Sequence, residues 1–360
     1  MPGMRPSLAK VDDYPALLNE AWAQHLAPRA DNAPTVISTF AGAGGSSLGY
    51  SMAGFRELLA VEWDDNAVET FRLNFPEVPV YHGDIAALSV EEVLRLTGLK
   101  PGELDVFDGS PPCQGFSTAG KRQMDDPRNS LFREFVRLLR GLRPKVFVME
   151  NVSGMVKGKM KLVFAEIMRE LKASGYVVSA RLLNAMYFGV PQSRQRMIFV
   201  GVRADLGIAP SHPRAQTKPV GVLDALGWDG RIEWFTGFSA GDSRSFALPA
   251  PIVMKDGIGG SGHSKYRLIS NSSYKETLKP IDMPCPTITK TAPEHSVAML
   301  GGSAVARRRF EIDEVKRIAS FPGEFNLIGK YAEQWARIGN SVPPLFMRAI
   351  AQHIRSELLP

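Results

Sequence analysis

The 360 residues include two cysteines, and only one of them has the company that a nucleophile needs. Cys113 stands in Ser110-Pro111-Pro112-Cys113-Gln114-Gly115-Phe116-Ser117, behind two prolines that stiffen the chain. A free thiol has a pKa of about 8.5 and is only a few per cent thiolate at neutral pH, so reactivity requires positive charge nearby. Arg194 and Arg196 are candidates to supply it. In extended chain an i, i+2 arginine pair points both guanidinium groups to one side, and such forks suit a phosphate or a base edge. Glu150 follows the apolar run 146–149 and adds a carboxylate at an equivalent strand end. The competing reading of a lone cysteine is a small buried hydrophobe. Around Cys113 the neighbours are Pro, Gln, Gly and Ser rather than core aliphatics, which weakens it. Cys285, in Pro284-Cys285-Pro286-Thr287, receives no catalytic role. No C-x-x-C spacing suggests a metal or redox pair.

A second set of residues points to a nucleoside ligand. Phe40-Ala41-Gly42-Ala43-Gly44-Gly45 follows an apolar, β-branched run and precedes a helical stretch, where a glycine turn lets a ligand approach the backbone. Glu62 lies 20 residues beyond Gly42, at the end of the next run, where a carboxylate can accept from both ribose hydroxyls. Trp63 offers a flat face for an adenine, and Asp84 can accept from its exocyclic amine. The glycines at 42, 44 and 45 do not have the G-x-G-x-x-G spacing of a dinucleotide site, which disfavours a nicotinamide-dependent dehydrogenase.

Positioning these residues requires a sheet whose strand ends share one edge. Strands are predicted at residues 35–40, 57–61, 78–81, 104–107, 146–149, 177–183 and 197–202, with helices at 67–74, 89–96, 131–142 and 162–174. This alternation predicts an α/β fold with a mostly parallel sheet. Ahead of it, Val11, Tyr14, Leu18, Trp22 and Leu26 recur at helical spacing, the pattern of a helix packed on the main domain. From 204 to 330 the text becomes Gly-, Pro- and Ser-rich with short strand-like pieces such as 287–290, which reads as a second, irregular domain. Residues 339–353 return to a loop and an apolar helix that complete the first. The expected organisation is an N-terminal helical extension (1–33), a catalytic cofactor-binding domain (34–203, completed by 331–360) and a smaller domain (204–330). The composition, 44% apolar and 22% charged, is that of a soluble protein, and a net charge of +6 suits a polyanionic partner. With no long apolar run and no secretory pattern at the N-terminus, a cytoplasmic protein is expected.

Taken in order, the segments resemble the cytosine-5 DNA methyltransferase family of the bacterial restriction-modification type. They are residues 40–45, Glu62-Trp63, Gly83-Asp84-Ile85, Pro112-Cys113-Gln114, Glu150-Asn151-Val152, residues 192–196, residues 308–322 and Gly339-Asn340-Ser341-Val342-Pro343-Pro344. The resemblance implies a Rossmann-like S-adenosylmethionine-dependent methyltransferase domain, a smaller irregular target-recognition domain within 204–330, and DNA in the cleft between them. It implies cofactor contacts from Phe40, Gly42, Gly44, Gly45, Glu62, Trp63, Asp84, Ile85, Pro112, Leu131, Asn340, Ser341 and Val342. The last three are expected to fold back onto the glycine turn. Gln114, Ser117 and Lys121 are implied as DNA contacts, the latter two in a loop that closes over the duplex. Cys113, Glu150, Arg194 and Arg196 are implied as the catalytic set, with no metal. In the implied mechanism Cys113 adds to carbon 6 of a flipped-out cytosine, Glu150 assists at N3, Arg196 contacts O2, and carbon 5 takes the methyl group, leaving S-adenosylhomocysteine. Double-stranded DNA is the implied partner, with a cognate restriction endonuclease acting independently, a monomeric enzyme and a nucleoid-associated location. Ser38 stands where many members have aspartate, and Glu311 where threonine or serine is common. The rival substrate is RNA, as in the family's tRNA-methylating branch, whose Cys-Phe-Thr signature does not occur here. A rival of another class is a catalytically silent DNA-binding protein on the same scaffold, against which the intact Cys113, Glu150 and Arg196 speak.

Overall fold

The computed structural model describes residues 8–112, 130–156, 160–227, 266–272, 275–280, 282–290, 295–301 and 304–360. At its centre is a seven-stranded sheet. β1 (Thr35–Thr39), β2 (Arg56–Glu62), β3 (Val80–His82), β4 (Val106–Gly109) and β5 (Val146–Val152) run parallel in the order β3-β2-β1-β4-β5. β6 (Tyr176–Asn184) forms the far edge, the short β7 (Gln192–Ser193) lies outside this sheet, and β8 (Gln195–Arg203) runs antiparallel between β5 and β6.

Adjacent residues of the central strands serve opposite faces. Val36, Val106, Val148 and Val200 belong to one apolar cluster. Their neighbours Ile37, Phe107, Phe147 and Phe199 belong to the other. A sheet covered on both faces makes its strands read as continuous apolar runs, which is why they were visible in the sequence. The first face is covered by α1 (Tyr14–Leu26), α2 (Gly45–Met52) and, from the far end of the chain, α10 (Pro344–Glu357). α4 (Val90–Thr97), α5 (Ser130–Leu142) and α6 (Met160–Ala173) cover the second. α3 (Asp65–Asn74) follows β2 and packs Phe71 into the first cluster.

Close approach between α2 and α10 depends on two glycines. A Cβ on Gly45 would lie 2.4 Å from the Val342 carbonyl oxygen, and one on Gly49 would lie 2.6 Å from Met347 Cβ. The C-terminal segment therefore folds back onto the glycine turn, as expected.

The 204–330 region differs from its sequence reading. The strand-like piece 287–290 is not a strand; β11 (Cys285–Pro286) pairs with β7 just before it. An antiparallel sheet in the order β10-β9-β12-β13 is formed by β9 (Tyr266–Ser272), β10 (Lys275–Pro280), β12 (His295–Gly301) and β13 (Ala304–Arg309). Sequences such as Lys275-Glu276-Thr277-Leu278-Lys279-Pro280 carry too few β-branched residues to announce strands by composition. Both ends of the region belong to the main core: Val222 and Leu226 of α7 (Val222–Leu226), and Phe310 with Val315 and Ile318 of α8 (Ile312–Ile318), lie in the first cluster. α9 (Tyr331–Asn340) joins it through Trp335 and Ile338.

Candidate active site

Ligands of open parallel sheets bind beyond the carboxyl ends of the strands, where the strand order reverses. Here the reversal lies between β1 and β4, and the candidate residues gather there. The turn after β1 begins with Phe40 at φ +55, a left-handed conformation costly for an aromatic residue, and continues through Gly42 at φ +56 and Gly44 at φ +93. Glu62 at the end of β2 fastens this turn: its Oε2 accepts from the Gly42 amide at 2.8 Å, while Oε1 accepts from the Trp63 and Asp64 amides at 2.8 and 3.0 Å. An ionised carboxylate offers about four lone-pair positions, so three backbone amides leave one for a ligand hydroxyl.

A cavity of about 390 Å³ opens beside the turn, lined by Phe40, Val61, Glu62, Trp63, Gly83, Asp84, Ile85, Pro112 and Leu131. This volume lies in the range of small-molecule sites. Trp63 keeps 76% of its surface exposed at the rim. Asp84 is also exposed, with Oδ1 accepting from the Ala86 amide at 2.9 Å. The arrangement fits an adenosyl group: an unburied aromatic face, two carboxylates with acceptor capacity left, and an apolar floor. Of the other expected cofactor residues, Gly44 faces Phe75 and Gly45 faces Val342, so their missing side chains serve packing. Neither these glycines nor Gly42, Asn340, Ser341 and Val342 line the cavity.

The chemical half lies one strand further along. Glu150 on β5 is 9% exposed, and its Oε1 stands 2.6 Å from Nε of Arg196 on β8. The antiparallel register places Val152 opposite Arg196, which brings the arginine to the end of β5. Asn151 points the other way: its Nδ2 donates to the Pro111 carbonyl at 3.1 Å. That bond anchors the chain two residues before Cys113. Cys113, Gln114, Ser117 and Lys121 themselves lie outside the described residues.

Arg194 departs from expectation. The chain breaks between β7 and β8 at this residue, so the two arginines are not on one continuous strand and do not point together. Arg194 is 2% exposed and donates to the carbonyls of Ile288 and Gly339, both at 3.0 Å. Burial, with Arg196 adding to it, lowers its pKa to about 9. These two bonds join the 282–290 segment to α9.

Two further partners were not foreseen. Asp64 caps α3 and pairs with Arg337 of α9 at 2.6 Å, which ties the Glu62–Trp63 corner to the C-terminal segment. An Asp three residues before Ala67 was a visible capping signal; its arginine, 273 positions away, was not. Glu311, the unusual residue of the 308–322 segment, occupies the N-cap position of α8, where its amide donates to Glu314 Oε2 at 2.8 Å. Ser38 is fully buried between β2 and β4 and does not line the cavity.

The sequence model of the C-5 cytosine-specific DNA methylase family matches residues 34–225 and 247–356. The chain belongs to that family. The methylase is 36% identical over 339 residues to the Type II methyltransferase M1.HphI of Haemophilus parahaemolyticus, covering 89% of this chain and 86% of that protein. It is 30% identical over 359 residues to the Type II methyltransferase M.NgoPII of Neisseria gonorrhoeae, covering 93% and 99%. Among solved structures it resembles a candidate DNA modification methyltransferase encoded in an Escherichia coli prophage, with a TM-score of 0.65 at 25% identity over 91% of this chain and 99% of that one. Its likeness to Spodoptera frugiperda DNMT2, TM-score 0.60 at 18% identity over 90% and 99%, shows the fold alone. The methylase therefore transfers a methyl group from S-adenosylmethionine to carbon 5 of cytosine in double-stranded DNA, through a covalent cysteine intermediate.

Proposed function

We propose that Cys113 is that cysteine, with Glu150 and Arg196 acting on the base it attacks. The observation that carries this reading is the pair of bonds at the end of β5: Glu150 to Arg196 at 2.6 Å, and Asn151 to Pro111 at 3.1 Å. Together they bring an acid, a cation and the chain leading into Cys113 to one strand end. The other cysteine supports the assignment by its position, since Cys285 is fully buried in the core.

Carbon 5 of cytosine is a poor nucleophile. Addition of the Cys113 thiolate to carbon 6 breaks the 5,6 double bond and turns the ring into an enamine, with Glu150 hydrogen-bonding at N3 and Arg196 at O2, where negative charge develops. S-adenosylmethionine, when bound, supplies a methyl group on a positive sulfur that leaves as a neutral thioether. After carbon 5 is methylated, a water or a nearby base takes its proton, and the electron pair released reforms the 5,6 double bond and expels the Cys113 thiolate. The thiol reaches the ring from its face, so the cytosine must leave the stack, at about a few kcal/mol.

The cofactor reading rests on Phe40, Glu62, Trp63, Asp84, Ile85, Pro112 and Leu131 around the cavity. In this reading Gly42, Gly44, Gly45, Asn340, Ser341 and Val342 shape the turn. Gln114, Ser117 and Lys121 are proposed to meet DNA, and the 266–309 sheet to belong to the target-recognition region. Arg194 is proposed as a structural clasp. A specific target sequence, with a cognate restriction endonuclease working separately, accords with the relatives' designation as Type II methyltransferases. No helix among the described residues is long and apolar enough to cross a membrane, which accords with action on cytoplasmic, nucleoid-associated DNA.

The test is trapping. DNA containing 5-fluorocytosine at the target, with S-adenosylmethionine, should give a covalent complex with wild type and Cys285→Ala and none with Cys113→Ala. A complex surviving in Cys113→Ala refutes the assignment.

A further inference from the structure

The N-terminal helix lies outside the residues that match the family, which begin at 34. It is nevertheless built into the molecule: Tyr14, Leu18 and Ala21 are buried, and α1 packs on both α2 and α7. What it touches is specific. The chain passes between the main core and the 266–309 sheet four times: out after α7, back after β10 into the 282–290 segment, whose Cys285 and Ile288 lie in the core, out again to β12, and back through β13 into α8. The N-terminal segment grips the first and the last of these crossings.

On the outgoing side, Ala9 forms a parallel bridge with Thr217: its amide donates to Gln216 O at 3.0 Å, and its carbonyl accepts from the Lys218 amide at 2.8 Å. From behind, the Gln216 and Thr217 amides donate to Tyr187 O, and Thr217 Oγ1 accepts from the Gly189 amide at 2.8 Å. The outgoing strand is thus held between the core and residue 9. On the returning side, the buried Tyr14 hydroxyl donates to the Arg317 carbonyl of α8 at 2.9 Å. α7 and α8 also pack on each other, with Arg317 Nη1 3.5 Å from the Leu226 carbonyl.

The two middle crossings are held by the β11–β7 pairing and the Arg194 clasp, and the outer two swing about their own residues unless something holds them as well. We propose that residues 8–26 are a positioning element for target recognition, fastening the first and last crossings so that the 266–309 sheet meets DNA in one orientation. Holding that orientation before DNA arrives removes an ordering cost from binding, and it removes the tilts by which a near-target sequence could be accommodated. The inference rests on the proposal that this sheet belongs to the recognition region.

Two full-length-background variants loosen the grip without opening the core. Tyr14→Phe removes one hydroxyl, and deletion of residues 2–10 removes the Ala9 bridge while keeping Val11, which packs against the core, and Asp13, which caps α1 through the Ala16 amide. Once bisulfite sequencing of plasmid has defined the wild-type target, each variant should raise KM for that DNA about fivefold, the equivalent of one hydrogen bond. Each should also increase methylation of single-mismatch sites relative to the target, with kcat and S-adenosylhomocysteine affinity within twofold of wild type. A merely structural role would lower Tm and active fraction while leaving KM and the mismatch ratio unchanged, and that result overturns the proposal. A charge-removal variant of the sheet, Arg267→Ala with Lys275→Ala and Lys279→Ala, separates the two levels. If it shifts KM and target preference while the N-terminal variants do not, the positioning role fails alone. If it shifts neither, the recognition reading fails first.

Discussion

Trp63→Ala isolates the cofactor site from the fold. With 76% of its surface exposed, the ring contributes little to the packing of the free protein, so Tm without ligand should stay within about 1 °C of wild type. An aromatic side chain has about 150–250 Å² to bury, and an adenine stacked on one face would cover about 80 Å² of it. At about 25 cal/mol per Å² this gives about 2 kcal/mol, equivalent to a roughly 30-fold loss of affinity. Isothermal titration with S-adenosylhomocysteine, which needs no DNA and no turnover, reads this directly. Trp63→Phe should recover most of the loss, because the flat face is retained. An alanine variant that binds the nucleoside normally, or one whose unliganded Tm falls by several degrees, refutes the placement of the adenine against this ring.

Glu150→Gln should lower kcat by about 100-fold or more while S-adenosylhomocysteine affinity holds; near-normal turnover would remove Glu150 from the chemistry. Arg194→Met should destabilise the methylase by about 2–4 kcal/mol in urea titrations, because the Ile288 and Gly339 carbonyls lose a charged donor, while kcat per folded molecule stays near wild type. A large kcat loss in a stable Arg194 variant would restore it to the catalytic set. Stability should also fall as pH rises from 6.5 to 8.5. Burial raises Asp108, which accepts from Tyr50 at 3.2 Å, from an ordinary 3.8 to about 8. An acid raised in the fold holds its proton more tightly there than in the unfolded chain. Its contribution is therefore complete below the unfolded value and lost as pH climbs through about 8. His25 and His212, lowered by burial to about 4, act in the opposite sense, but only below about 6.5. Across the window Asp108 accounts for at most about 2 kcal/mol, or a few degrees of Tm, and Asp108→Asn should flatten the slope. An unchanged slope would place the proton elsewhere.

The sequence disclosed this site unevenly, for physical reasons. Parallel topology puts successive strand ends on one edge, so Phe40, Glu62, Asp84, Pro112 and Glu150 could be gathered by counting runs. Arg194 and Arg196 could not be separated that way, because a break of one residue between β7 and β8 turned one into the core and left the other beside Glu150. The reading of α1 as a docked helix was right in kind, but helical spacing says that a face is buried without saying against what. The 266–309 sheet was hidden because β10 (KETLKP) and β13 (AVARRR) are broken by charged residues, so the apolar run 297–300 of β12 stood without neighbours that read as strands. The Asp64–Arg337 pair shows the remaining limit: a charge and its partner on opposite ends of the chain carry no local signature.

The packing of α10 on α2 also orders events in time. Gly45 and Gly49 meet their neighbours only at Val342 and Met347, about 300 residues later in synthesis. Until the ribosome has released α10, the helix that follows the glycine turn has only part of its cover, from α1, and the apolar face that meets α10 is open to other partners. A nascent or prematurely terminated chain is therefore a substrate for chaperones and proteases before it can modify any DNA.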